Sequence, residues 1–230
     1  MKKLSVRSIF ATSWLDFKKH WVALLLLSTG TIVLSIVNSL ITYGLIRILE
    51  SQSMDVRLIW CVQPILMLVG MVYGFIYMLN LLDIVYGRKL SWFNVSFNET
   101  VKAIGLLFLM MLPCTLFVGI ASMLTLPQGL YLVGAMLVIL IMIYTLLYYY
   151  MMRSSFAVMI LLEEKTTILD ALYKSWDLTE GHVSFIIKMV FAVVGLYLLG
   201  VLCLGVGVFV AMPVSALMYV HLYKILSQAK

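Results

Sequence analysis

Residues 22–46 read VALLLLSTGTIVLSIVNSLITYGLI, 25 positions in a row without one charged side chain. A helix rises 1.5 Å per residue, so about 20 apolar residues cross a bilayer's hydrocarbon layer. Runs of the same kind recur at 58–82, 103–126, 130–152, 183–203 and 206–226. The fourth stays apolar as far as 162, interrupted only by Arg153, Ser154 and Ser155. That is longer than one span needs. Its end must therefore tilt and protrude or lie along the interface. Between the last two runs only Gly205 and Gly207 break the pattern, which places a turn near 204–207.

Composition agrees with the runs. The chain of 230 residues is 64% hydrophobic and 11% charged, with a mean hydropathy of +1.11. A soluble domain carries about a quarter charged residues. Too few polar side chains are present to coat a water-facing surface, and too many apolar ones for a disordered chain. A soluble enzyme is excluded on the same ground. Met1 to His20 is basic but lacks an apolar stretch of signal-peptide length, so a cleavable signal peptide is not expected.

The net charge of +6 and pI near 9.2 reflect where the cations fall. Six spans put 14 of the 16 Lys and Arg residues on one side, leaving only Arg47 and Arg57 on the other. Such a bias marks the cytoplasmic face, with both termini inside. No basic cluster interleaved with aromatics is present, and no nucleic-acid partner is expected. Cys61, Cys114 and Cys203 lie far apart in apolar runs without metal-ligand spacing, as buried small hydrophobes would.

The pieces between spans have helical periodicity. Val6, Phe10, Trp14, Phe17 and Trp21 form one apolar stripe; Phe93, Phe97, Val101 and Ile104 a second; Leu169, Leu172, Tyr173 and Trp176 a third. Arg7, Lys18, Lys19, Lys102 and Lys174 belong to their polar faces. Trp14, Trp21 and Trp92 are the expected interfacial anchors, since tryptophan prefers the headgroup level. Thr167 can cap the third helix, with Asp170 three positions on. Ser13-Trp14 is followed by His20 and Ser175-Trp176 by His182, an offset of seven from each serine to its histidine. This hints at a repeated unit of one interfacial helix and two spans. The fold expected is all-α: one polytopic membrane domain over 1–230 with six transmembrane helices. Interfacial amphipathic helices precede spans 1, 3 and 5, the first at 4–20.

The string from Ala171 through Ser175, Trp176, Leu178, Thr179 and Gly181 to His182, ahead of a long apolar run, resembles a known pattern. It is similar to the membrane domain of bacterial membrane-anchored glycerophosphodiester phosphodiesterases and to the YciC-like inner-membrane proteins. Pro213 and Tyr219 near the C-terminus, and Asp83, Gly87 and Ser91-Trp92-Phe93 in a short loop, fit the same layout. The resemblance implies a six-span fold in a bacterial cytoplasmic membrane. Those phosphodiesterases keep their catalytic carboxylates and histidines in a soluble domain after the membrane part. No such domain follows here, so their hydrolase activity is not expected.

Chemistry-bearing residues are few. Asp83 at the end of the second run, with Arg88 and Arg153, is the candidate polar cluster, read as an ion pair at the interface. His20, His182 and His221 read as interfacial or packing residues. Asn38, Gln63 and Pro64 lie within spans, where interhelical hydrogen bonding is the usual role of the polar ones. Gly195, Gly200, Gly205 and Gly207 lack the GxxxG spacing and read as flexibility or near-packing. No nucleotide, hydrolase or zinc-protease motif occurs. The function expected is therefore non-enzymatic, without cofactor: membrane or envelope homeostasis through binding membrane lipids or another membrane protein. The alternative is the permease subunit of an ATP-driven transporter, partnered by an ATPase subunit.

Overall fold

The computed structural model describes residues 5–51, 59–90, 96–123, 130–203 and 205–228, without side chains at 59–65, 67, 97, 111–112, 114–123 and 130–140. Among the described residues every regular element is a helix: α1 (Val6–Ser51), α2 (Ile59–Tyr86), α3 (Phe97–Met123), α4 (Leu130–Ser154), α5 (Ala157–Glu164), α6 (Ile168–Thr179), α7 (Val183–Leu202) and α8 (Val206–Ser227). Five segments among them are long and apolar enough to cross a membrane: Val6–Ser51, Leu68–Tyr86, Ile141–Glu164, Val183–Leu202 and Val206–Ser227. The apolar run at 103–126 falls mostly within α3, whose side chains are described only in part. Trp92, Phe93, Arg57 and the side chains of Cys61, Gln63, Pro64 and Cys114 lie outside the described residues.

The chain divides into two compact units. The first comprises Met1–Thr100 and Ile187–Lys230, and α8 is its centre. From Ala211 onward α8 is buried on most sides, by Val214, Leu217, Met218, Leu222 and Tyr223 among others. The α1 residues Ile9, Ser13, Phe17, Leu24 and Ser28 are buried at steps of four or seven, one helical face. That face continues through His20, where non-helical backbone (φ −121°, ψ 24°) divides α1 into two helices. The division falls next to where an interfacial helix was expected to give way to the first span. Hydrogen bonds tie α1 to α2: the Tyr73 hydroxyl donates to the Leu27 carbonyl at 2.7 Å, and Tyr77 meets Ser28 at 3.3 Å. A Cβ on Gly30 would collide with the Tyr73 ring, so only glycine admits that approach.

The α7–α8 hairpin decides between the two readings of its glycines, flexibility or near-packing, in favour of close packing at Gly200 and Gly207. Gly205 has φ +78° and makes the turn, which glycine adopts without strain. Gly200 and Gly207 face one another across it, and a Cβ on Gly207 would lie 2.7 Å from the Gly200 Cα. Ser215 and Tyr197 meet at 3.3 Å farther along the same pair. Cys203 was expected inside the core. It is exposed, because it sits at the turn itself rather than within a packed helix.

The second unit, Val101–Ile186, is built around α5. Ala157, Met159, Ile160, Leu161 and Leu162 are all buried, so this short helix is covered nearly all round. The long fourth apolar run does not continue as one helix. It breaks at 154–156 and resumes as α5, which ends in the left-handed Lys165 (φ 53°).

The glycine contact predicts an asymmetry. Gly200→Ala introduces a backbone clash at 2.9 Å and should lower stability by ~1–3 kcal/mol, although alanine is the better helix former. Gly195→Ala meets nothing within 4 Å and should be neutral or stabilising. Thermal unfolding of both variants in one detergent checks the pair.

Candidate functional site: two polar clusters at helix ends

The break between α4 and α5 contains neither proline nor glycine. Its cause lies on α6. Breaking a helix frees backbone groups that would otherwise pair within it. The Ser175 hydroxyl takes up two of them: it accepts from the Phe156 N–H at 3.2 Å and donates to the Arg153 carbonyl at 2.6 Å. Trp176 Nε1 donates to Ser154 Oγ at 3.1 Å beside it. α6 itself begins at Thr167, whose hydroxyl accepts from the Asp170 N–H and donates to the Asp170 carboxylate at 2.6 Å, as the capping pattern predicts.

The buried residues of the string 171–181, and Gly181, each have a structural task. Ala171 and Ser175 are fully buried and small on the packed face. Leu178 is buried beside them. The Thr179 hydroxyl donates to the Ser175 carbonyl at 2.9 Å. Gly181, with φ +74°, makes the turn into α7, and His182 donates from Nδ1 to the Glu180 carbonyl at 2.9 Å.

The stripe Leu169, Leu172, Tyr173 and Trp176, expected to meet the headgroup boundary, is turned outward except at the half-buried Leu172: Leu169 is 61% exposed and Tyr173 75%. The small face Ala171, Ser175, Leu178, Thr179 packs inside the unit. The N-terminal part of α1 repeats the arrangement. Of the stripe Val6, Phe10, Trp14, Phe17, Trp21, only Phe17 is buried, whereas Ile9 and Ser13 are buried at 1% and 0%. Trp14 stacks between Phe10 and Phe17 at 6.3 and 5.5 Å, with Lys18 Nζ 5.7 Å from its ring, and Trp21 is exposed. Serine faces inward and tryptophan outward on both helices, and each is followed by a histidine at a helix break.

Arg153 belongs to this second unit. Its guanidinium lies over two rings, Tyr149 at 5.7 Å and Trp176 at 5.4 Å, and Tyr150 meets Trp176 edge-on at 6.0 Å. Its Nε is buried without a hydrogen-bond partner. Among the described residues, aromatic faces and no carboxylate hold this cation. Lys174 pairs with Glu164 across the α5–α6 turn.

Asp83 and Arg88 lie in the first unit. Asp83 is 7% exposed, and its carbonyl accepts from the Arg88 N–H at 2.7 Å. Asn80, fully buried one turn earlier, donates to the Ile76 carbonyl at 2.8 Å. Arg88 and Lys224 both lie over the Tyr86 ring, at 5.0 and 4.8 Å. Lys224 also donates to the Val85 carbonyl at 2.8 Å, tying α8 to the last turn of α2. Beside it His221 Nε2 meets Asp16 Oδ2 at 2.8 Å, an α1–α8 link across 205 residues of sequence. Sequence periodicity passed over this pair, because Asp16 lies off the apolar stripe and His221 shows no nearby carboxylate in sequence. The usable signal is that Asp16 follows the buried Ser13 by one helical turn.

A third polar feature lies deep within α1. Asn38 was expected to bond to a neighbouring helix, yet its Oδ1 is buried without a partner. It lines a cavity of about 370 Å³ with Thr31, Ser35, Leu34, Ile41 and Tyr73. Thr31 and Ser35 direct their hydroxyls to their own helix, to the Ser28 and Thr31 carbonyls. Among the described residues no three of His, Cys, Asp and Glu converge as a metal site would require. Comparison with protein-family profiles, with curated proteins and with solved structures finds no match to this chain.

Two outcomes follow from these contacts. Ser175→Ala strands the Phe156 N–H and the Arg153 carbonyl in the core, which should cost ~1–3 kcal/mol; Ser184→Ala, exposed on α7, should cost almost nothing. Thermal unfolding, with amide exchange at Phe156, reads both. Asp16→Ala removes a half-exposed partner of His221, which should raise amide exchange over 6–19 about fivefold, equivalent to ~1 kcal/mol, and leave Val101–Ile186 unchanged.

Proposed function

We propose that this chain is a six-span protein of a bacterial cytoplasmic membrane, with both termini inside and no catalysis of its own. It serves membrane or envelope homeostasis by binding lipid, directly or together with a membrane partner. α3 supplies the sixth span beside the five long apolar segments, and the side bias of Lys and Arg supplies the orientation. The helix 6–19 and α6 lie at the cytoplasmic interface.

The carrying observation is the outward aromatic face of α6. Leu169, Tyr173 and Trp176 are exposed on a helix whose other side is fastened by Ser175. Burying a large apolar side chain is worth ~1.5–3 kcal/mol, and Trp and Tyr favour the headgroup level. A fixed helix presenting such a face is fit to read the membrane surface. The string 171–182 resembles the membrane-anchored phosphodiesterases and YciC-like proteins through residues that build the fold, so the resemblance supports a shared scaffold and no shared chemistry.

The alternative, a permease subunit, draws on the same helix. α6 is twelve residues long, bounded by the Thr167 cap and the Gly181 turn, with Lys174 and Asp177 exposed, a shape on which an ATPase subunit can dock. Isolation of the tagged protein in lipid nanodiscs, read by mass spectrometry, separates the two. Specific lipids, with or without membrane proteins of the envelope, are expected. A stoichiometric ATPase overturns the first proposal in favour of the permease, and substrate turnover by the purified chain overturns both.

A further inference from the structure

The charged groups of α4–α6 are matched to partners with one exception. Glu164 is taken by Lys174, and Asp170 closes the Thr167 cap. Glu163, Lys165 and Asp177 each make an interaction of their own. Arg153 has only the Tyr149 and Trp176 rings, and its Nε is a buried donor that reaches no acceptor among the described residues. Rings on this guanidinium supply a quadrupole attraction but no hydrogen-bond acceptor. An arginine is always charged and presents five donors in a planar fork.

The surroundings hold this fork in place. Trp176 is fixed by its bond to Ser154 Oγ, and the Arg153 carbonyl by Ser175. Little side-chain freedom remains to be lost when an anion arrives, and that favours binding. The fork matches the geometry of a phosphate or carboxylate. On the same helix as Trp176, the exposed Leu169 and Tyr173 offer apolar surface beside the cation. An anion joined to an apolar body satisfies both at once, whereas a free ion satisfies only the first.

We propose that Arg153, held against the Tyr149 and Trp176 rings at the α4–α5 break, is a binding site for the phosphate of an anionic phospholipid headgroup. The acyl chains lie along the outward face of α6. This assignment rests on the lipid-binding function proposed above. It adds the headgroup class and the residue that receives it.

The test uses the full chain in mild detergent, titrated with short-chain phosphatidylglycerol or phosphatidylcholine and followed by native mass spectrometry and thermal unfolding. The wild type should bind phosphatidylglycerol in preference to phosphatidylcholine. Arg153→Gln should weaken phosphatidylglycerol binding about tenfold, the scale of a lost charge-assisted hydrogen bond. Arg153→Lys keeps the charge without the fork and should fall between the two, which keeps the test decisive if Arg153→Gln fails to fold. Lys174→Gln, which breaks only the pair with Glu164, should bind as the wild type does. Inorganic phosphate at the same concentration should not compete. Competition by phosphate would overturn the lipid assignment in favour of a free anion. Equal phosphatidylglycerol binding by wild type, Arg153→Gln and Arg153→Lys would overturn the site while leaving lipid binding in place. No preference by the wild type itself would remove the lipid-binding function as well.

Discussion

Inside an apolar medium no water is available for a free N–H or C=O, so each interruption of a helix must be supplied with partners from the protein itself. This chain interrupts its helices at several points and supplies them differently. At 154–156 a serine from another helix enters the gap and bonds both ways, accepting from Phe156 and donating to Arg153. At the α7–α8 turn the Gly205 N–H returns to the Val201 carbonyl at 3.1 Å, a local closure that a positive φ makes possible. After α5 the left-handed Lys165 does likewise, its N–H reaching the Leu161 carbonyl at 3.1 Å. The first of these is the one with wide consequences. By tying α6 to the end of α4, Ser175 fixes Trp176, and through Trp176 it fixes one wall of the Arg153 site.

The same constraint explains why small residues face inward on α6. A helix that must bring a serine hydroxyl against a backbone break needs close approach, and Ala171, Ser175 and Thr179 at steps of four give it. The large side chains are then left to the opposite side. A soluble protein with that arrangement would expose aromatic surface to water at a cost of a few kcal/mol. At a membrane interface the same surface is an asset. Ser13 shows the limit of the analogy in α1: it is buried as deeply as Ser175, yet its hydroxyl has no partner.

What the sequence makes legible follows from the range of each interaction. Long apolar runs report span-length helices because hydrophobicity needs no partner to be recognised, and the Thr167 cap is a contact over three residues. The turn near 204–207 was legible from its glycines. The outward stripe of α6 was legible as well, since Leu169, Tyr173 and Trp176 at helical spacing read as a face for the headgroup level, whereas the inward packing of Ala171, Ser175 and Thr179 was not. The interruption after 152 was legible from Arg153, Ser154 and Ser155, but the contact that fills it was not: Ser175 is nineteen residues from Phe156. Asp16 and His221 are farther apart still. Asn38 is the reverse case. Its residue type invited a partner, and the local packing leaves its oxygen over a cavity instead.

The two units also treat their cations differently, and the difference is chemical. Lys224 is given a carbonyl oxygen as well as the Tyr86 ring, so its ammonium has both an acceptor and a π face. It works as a strut between α8 and α2, and nothing further is needed to account for it. Among the described residues, Arg153 is given π faces alone. A guanidinium tolerates this better than an ammonium, being more weakly hydrated and able to stack flat on rings. Tolerance is not saturation, however. Its in-plane donors keep their directionality, and aromatic faces accept none of them. The cation beside the helix break therefore still carries an unsatisfied donor, which the proposed headgroup would meet.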